Sequence, residues 1–346
     1  MCNPLDLTNI YGMKIKASFW IIGLLLISAS ISGQRKNKHE RSAFKIVGYY
    51  FLNAAIRDTV HADSAYLFLN KITHLNIAFI NPDSSGNFNQ ELAIDTLIKK
   101  AHDKKVKVLA SIGGGGRHEY YKSLLQDGNR KTFINNLIFL INRYRLDGID
   151  VDLEGSDIDS NYQDFVIELA DALKPLHKLV TAAIATAYKD QLPDAALQKF
   201  DFVSVMSYDQ TGPWSPGRPG NHSPYQMAVD DLNYWHTERS LPKEKLVLGL
   251  PFYGYGFGEK DSPVVSMNYK EIMTLYPNQV SDTLLMPANV VMYFNSLITI
   301  ENKTRLALKE GGGVMIWQLL GDTNDGHSLL NAVFKIVHGD DRREKK

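Results

Sequence analysis

Two spacings of apolar residues alternate along this chain. Short apolar runs rich in β-branched residues read as strands: "KIVGYYF" (Lys45 to Phe51), "THLNIAFI" (Thr73 to Ile80), "VKVLASIGG" (Val106 to Gly114), "GIDVDLE" (Gly148 to Glu154), "LVTAAIAT" (Leu179 to Thr186), "DFVSVMSYD" (Asp201 to Asp209), "KLVLGLPFYG" (Lys245 to Gly254) and "GGVMIWQL" (Gly312 to Leu319). Between most of them apolar residues return every three or four positions, as in Leu92 to Lys104, Lys131 to Tyr144, Tyr162 to Leu173, Met227 to Glu238 and Ile300 to Lys309. Leu329 to Val337 closes the pattern with the same helical spacing. Eight strands alternating with helices predict an α/β fold, a parallel (β/α)8 TIM barrel over residues 45–338. A doubly wound open sheet would alternate in the same way, but "YYFLNAAIRD" lacks the glycine-rich turn that opens its nucleotide site.

Two segments break the rhythm. Gln210 to Pro224, "QTGPWSPGRPGNHSP", is a Pro- and Gly-rich loop after the sixth strand. Tyr255 to Asn289 reads as a short insertion after the seventh. Loops that follow barrel strands build the face where barrel active sites lie, so both segments are expected there.

Within the fourth strand, "LDGIDVDLEG" (Leu146 to Gly155) alternates acids with aliphatics. A period of two places Asp150, Asp152 and Glu154 on one face and Ile149, Val151 and Leu153 on the other. Acids two residues apart on a strand lie roughly 6.6 Å apart along the chain. In a poorly solvated place such neighbours raise one another's pKa. An exposed sheet with a solvated acidic face would show the same pattern. In a barrel, however, the aliphatics pack against helices and the acids point into an interior normally filled by bulky side chains. Three acids in that place imply chemistry. Asp147 is out of phase with the alternation and reads as structural.

Composition narrows the class. The chain has 346 residues, a hydrophobic fraction of 44% and a formal net charge of zero. It is ample for a large core and offers no electrostatic case for a nucleic-acid partner. Lys14 and Lys16 precede an apolar run from Ala17 to Ile27, and small residues follow in "SASISGQ". This reads as an export signal over residues 1–33, starting at Met13 and cleaved near Ser32 or Gly33, with a periplasmic or secreted destination. A membrane anchor is the competing reading, but the run is shorter than the roughly 20 apolar residues a span needs. Residues 34–44 form a polar linker and residues 339–346 a charged tail. The one cysteine, Cys2, lies upstream of the apolar run, so the exported chain is expected to hold together without disulfides. The ten histidines show no ligand spacing such as H-E-x-x-H, and no metal or cofactor is expected.

The acidic strand resembles the D-G-x-D-x-D-x-E signature of glycoside hydrolase family 18, the chitinases and related enzymes, at every fixed position. "SIGG" (Ser111 to Gly114), "MSYD" (Met206 to Asp209) and "VMIWQL" with Trp317 match further motifs of that family on the third, sixth and eighth strands. The resemblance implies a retaining endo-glycosidase acting on N-acetylglucosamine polymers, in which the substrate's acetamido group replaces an enzyme nucleophile. It implies Glu154 as general acid, Asp152 holding the acetamido N–H, Asp150 sharing a proton with Asp152, and Tyr208 bonding the acetamido carbonyl. Asp209 and Met206 would face the sugar, Trp317 would floor the subsite, and Tyr49, Phe79 and Tyr253 match aromatic positions lining the same pocket. Trp214 reads as a sugar platform on the leaving-group side, since burial explains a tryptophan in a Pro/Gly loop poorly.

Departures from the family pattern also bear on function. Gly115 stands where a tryptophan often follows the double glycine, and Tyr255 where an arginine often sits. The insertion after the seventh strand is too short for the full α+β domain of many relatives. A shallower, more open cleft is therefore expected. The expected partner is an N-acetylglucosamine-containing polysaccharide or oligosaccharide, bound by a monomer with no nucleic acid and no membrane attachment after signal removal. Chitin or its oligomers lead as substrate. An endo-β-N-acetylglucosaminidase cutting the chitobiose core of N-glycans, an enzyme acting on peptidoglycan-derived glycans and a non-catalytic lectin are the alternatives.

Overall fold

The eight apolar runs form eight barrel strands. They are β1 (Lys45–Phe51), β2 (His74–Ala78), β3 (Lys107–Gly113), β4 (Gly148–Asp152), β5 (Leu179–Ile184), β6 (Phe202–Val205), β7 (Leu246–Pro251) and, after four strands of an insertion, β12 (Gly313–Trp317). Every neighbouring pair is parallel, and β1 pairs with both β2 and β12, so the sheet closes as the alternation predicts. The computed structural model describes residues 44–52, 63–89, 91–259 and 262–339. The expected export signal, nearly all of the linker and the tail lie outside the described residues.

Helical spacing is realised closely in Tyr162–Leu173 and Leu329–His338, and with longer ends in Asp127–Tyr144 and Leu297–Glu310. Short helices at Tyr120–Leu124, Asp194–Lys199 and Tyr269–Leu275 were not expected. Each is two turns or less, too brief for a periodic signal to emerge. Ile149, Val151 and Leu153 are fully or almost fully buried on the outer face of β4. Each such burial stabilises by about 1.5–3 kcal/mol.

Inside the barrel the layers differ in polarity. His74 lies edge-on to Phe202, and the Lys45 ammonium sits over the same ring. Above them Asn76, Ser111, Asp150, Thr181 and Ser204 form a buried polar stratum. Val47, Tyr49, Ala183, Val247 and Met315 pack as one cluster with Met206 and Tyr208. This interior departs from an aliphatic filling on the side where β4 carries its acids.

The segment after β7 is a short insertion, as expected. It folds as a small antiparallel sheet, β8 (Tyr253–Phe257), β9 (Val265–Asn268), β10 (Thr283–Met286) and β11 (Val290–Phe294), in the order β10-β11-β8-β9 with helix Tyr269–Leu275. Its first strand was hidden in the tail of "KLVLGLPFYG", where the chain bends at Phe252 from β7 into β8. The other strands are four or five residues long and partly exposed; β11, VVMYF, is an apolar run as short as several barrel strands, and sequence reasoning passed it over.

Candidate active site

Strand register assembles the acidic layer. Ser111 on β3 and Thr181 on β5 both stand beside Asp150, and Gly113 stands beside Asp152. Side chains paired across one face of a sheet are in reach of each other. Asp150, with no exposed surface, accepts from Tyr49 Oη (2.6 Å) and Ser111 Oγ (2.8 Å) at Oδ2 and from Thr181 Oγ1 (2.5 Å) at Oδ1. Burial raises its pKa, and these hydroxyls pull the other way.

Asp152 has different surroundings. It is almost as buried, its Oδ1 has no hydrogen-bond partner, and burial, then Glu154, then Asp150 push its pKa well above the usual carboxylate range. The backbone packs tightly here. A Cβ on Gly113 would lie 2.3 Å from the Asp152 carbonyl oxygen, and one on Gly148 would lie 2.1 Å from the Leu179 carbonyl oxygen. Real Cβ contacts are never that short, so the glycines of "SIGG" and "LDG" permit the strand approach that sets the acids in register.

Glu154 lies just beyond β4 in extended backbone (φ −126°, ψ 149°) and is half-buried. Burial, then the charges of Asp209 and Asp157, raise its pKa to about 7. A carboxyl at that value is partly protonated near neutral pH, the state a general acid needs. Asp157 is itself held by His118, whose backbone N (3.2 Å) and Nδ1 (3.0 Å) meet its carboxylate. Asp147 has a structural role, as its phase predicts. It accepts from Val108 N (2.8 Å) and Lys107 Nζ (3.2 Å) and meets His102 Nε2 at 2.9 Å.

Beyond β6 the chain carries Met206, Tyr208 and Asp209 into the same space. Tyr208 is buried, with its hydroxyl 3.8 Å from Met315 Sδ, and Asp209 turns the backbone with φ +65°. Asp209 accepts from Tyr253 Oη (2.5 Å), and His222 Nδ1 lies 3.3 Å from the same oxygen. At the end of β12, Trp317 stacks on Phe79 (centroids 5.6 Å apart, planes at 28°) and meets Tyr49 edge-on at 5.4 Å. The Ala78–Phe79 and Trp317–Gln318 peptides are cis.

These residues surround a cleft of about 470 Å³ at the C-terminal end of the barrel, lined by Tyr49, Phe79, Asp152, Glu154, Met206, Tyr208, Asp209, Trp214 and Trp317. Asp150 lies beneath this surface and Tyr253 behind it, so two expected site residues act on the cleft only through their neighbours. Tyr188, Ser156 and the alanines 183, 185 and 187 also line it. Sequence reasoning passed over Tyr188, although its place just after the fifth strand puts it on the chemical rim. His222 was missed as well, because only the folded loop brings it to Asp209. Among the described residues no group of three or more His, Cys, Asp and Glu could hold a metal ion.

Comparison with known proteins agrees with this geometry. The family described as "Glycosyl hydrolases family 18" matches residues 45–322. The GH18 chitinase ChiB from the chitin utilization locus of Flavobacterium johnsoniae is 33% identical, with 85% of this chain and 94% of that chain covered at a TM-score of 0.75. A probable endochitinase of Caenorhabditis elegans is 27% identical over 289 residues, which make up 67% of this chain and 46% of that protein. The chain thus spans about half the length of that relative. A chitinase-like agglutinin of Robinia pseudoacacia shares the fold at 23% identity and a TM-score of 0.70, covering 84% of this chain and 99% of its own. With the acidic strand in place and the match running from β1 past β12, this chain belongs to family 18 of the glycosyl hydrolases.

Proposed function

We propose that the chain hydrolyses β-1,4 bonds between N-acetylglucosamine units of chitin or its oligomers, internally and with retention of configuration. The observation that carries this reading is the pairing of Glu154, a cleft carboxyl raised to about 7, with Asp152, a buried raised acid two residues behind it. Glu154 protonates the glycosidic oxygen as the bond to the anomeric carbon breaks. The acetamido carbonyl oxygen of the same sugar attacks that carbon and closes an oxazolinium ring. Asp152 holds the acetamido N–H and stabilises the positive ring, while Tyr208 donates to the carbonyl oxygen. The Glu154 carboxylate then takes a proton from water, whose oxygen opens the ring on the face the leaving group left. Two displacements return the original configuration. Asp150, fixed by three hydroxyl donors, shares a proton with Asp152 and lets its charge follow the cycle.

Trp317, backed by Phe79 and Tyr49, offers a flat apolar floor on which a pyranose can stack. Gly115 leaves the wall above Glu154 bare, for a Cβ there would meet only Glu154 Oε1 at 3.8 Å. That open wall supports cleavage of soluble or loosely ordered chains over processive work on crystals. It also gives the glycan-core reading its footing, since a branched substrate needs room. The export signal expected at the N-terminus fits an extracellular or periplasmic polymer.

The decisive experiment is mass spectrometry of products after incubating the signal-free chain with N-acetylglucosamine oligomers and, in parallel, with a high-mannose glycoprotein. Short N-acetylglucosamine products from the oligomers alone support the proposal. Release of an intact glycan that leaves one N-acetylglucosamine on the protein moves the assignment to the glycan-core enzyme. Binding without products on either would favour the lectin.

A further inference from the structure

Helix Leu297–Glu310 buries Ile300, Lys303, Thr304 and Ala307, an inward stripe at helical spacing with a lysine in a core position. Lys303 has no exposed surface. An ammonium group has three N–H donors, and all three are used: Ser223 Oγ at 2.6 Å, the Ser223 carbonyl at 2.7 Å and Asn295 Oδ1 at 2.8 Å. None of its partners is an ion-paired carboxylate; the nearest acids, Asp282 and Asp231, act on it only at longer range. A lysine buried in this way is costly to keep, and it contributes nothing an apolar residue could not supply to packing alone.

Its partners explain the placement. Ser223 Oγ donates to the Ser207 carbonyl (2.6 Å), Ser207 Oγ donates to Asp231 Oδ2, and Asn295 Nδ2 donates to the Ser223 carbonyl (2.9 Å). Ser207 directly precedes Tyr208 and Asp209, and Ser223 directly follows His222. His222 returns to the other end of the loop twice, through its carbonyl to Gln210 N (2.9 Å) and through Nδ1 to Asp209. Both ends of the loop after β6 therefore meet at Lys303. Asn295 immediately follows β11 and ties the insertion to the same point.

We propose that Lys303 is a positioning residue of the active site, its ammonium fixing, through Ser223 and the Ser207 carbonyl, the chain that sets the Tyr208 hydroxyl. It touches no substrate and acts through Ser223 and Ser207. Misplacing reacting groups by a fraction of an ångström to an ångström lowers turnover without abolishing binding. The inference rests on the glycosidase reading above.

The test uses Lys303→Met, which keeps an unbranched chain and removes all three donors, alone and combined with Tyr208→Phe. With an N-acetylglucosamine tetramer, kcat of the single variant is expected to fall about ten-fold or more, with KM changed by less than about three-fold. In the Tyr208→Phe background the same substitution should cost less than about three-fold, because its effect runs through a hydroxyl already gone. An unchanged kcat, or an equal loss in both backgrounds, would overturn the inference. If Lys303→Met does not fold, Ser223→Ala decides: it breaks the link to Ser207 but leaves the lysine two acceptors. A drop in its kcat that vanishes in the Tyr208→Phe background supports the inference, and unchanged turnover overturns it. Should the wild-type chain bind the tetramer without cleaving it, the glycosidase reading fails and the positioning role, which rests on it, falls with it; a wild type that cleaves beside an unaffected Lys303→Met overturns the positioning role alone.

Discussion

Asp150 and Asp152 share one face of β4, yet Asp150 accepts three hydroxyl donors while Asp152 Oδ1 has no hydrogen-bond partner among the described residues. The asymmetry decides which acid is free to respond to a ligand. Asp150 is buried beneath the cleft and held by hydroxyl donors on both of its oxygens. Asp152 is raised well above the usual carboxylate range by burial, then by Glu154 and Asp150. Replacing Asp152 with Asn imitates the protonated acid and forbids the ionised one. Turnover of N-acetylglucosamine oligomers by Asp152→Asn should fall by about 10²-fold or more, with the fold retained. Steady-state kinetics beside a thermal melt check this; normal kcat would remove Asp152 from the reaction.

In the proposed mechanism Glu154 sets the alkaline limit of activity. A general acid must hold its proton, and the protonated fraction falls as pH rises through its folded pKa of about 7. The kcat/KM profile should therefore decline above neutrality with a midpoint near that value. Glu154→Gln should lose at least about 10²-fold in turnover while oligomer affinity, measured by calorimetry, persists. Wild-type turnover in this variant would sink the assignment of the acid.

The same carboxyl links stability to pH. Its folded value of about 7 lies above its ordinary 4.5, so folding favours the protonated form. Below 4.5 the group is protonated in both states and its contribution is fully present. As pH rises the unfolded chain ionises first, and the contribution is lost by the time pH passes the folded value. Glu154→Gln removes this dependence. Its melting temperature should match wild type near pH 4 and exceed it by roughly 2–6 °C near pH 8. An equal offset at both pH values would mean that the folded and unfolded carboxyls titrate alike.

Long-period patterns made the barrel and its acids legible in the sequence, because both rest on alternation: eight apolar runs for the strands, and a strict period of two for Asp150, Asp152 and Glu154. Register then turned motif into geometry, with Ser111 and Thr181 falling beside Asp150. What stayed hidden has contacts distant in sequence or signals too short to read. Tyr253 resembled a cleft residue, and only the folded chain shows that its hydroxyl donates to Asp209. His222 lies in a loop without period, and Lys303 occupies an apolar position on a helix whose stripe predicts only that something is buried there.

Trp214 tests where the cleft extends. It is 59% exposed, lies edge-on to Tyr255 at 5.8 Å, and its ring covers Gly212, whose absent side chain leaves room for the indole. So little burial cannot stabilise the fold much, and Trp214→Ala should change stability by less than about 0.5 kcal/mol. An exposed indole lining the same cleft as Glu154, the proposed acid, can instead stack on a sugar beyond the cut. Stacking of aromatic rings is worth about 0.5–1.5 kcal/mol, which predicts a rise in KM for N-acetylglucosamine hexamers of roughly two- to ten-fold. An aryl glycoside of two N-acetylglucosamine units has no sugar on the leaving-group side and should be cleaved by Trp214→Ala as by wild type. A loss shared by both substrates would place Trp214 on the other side of the scissile bond.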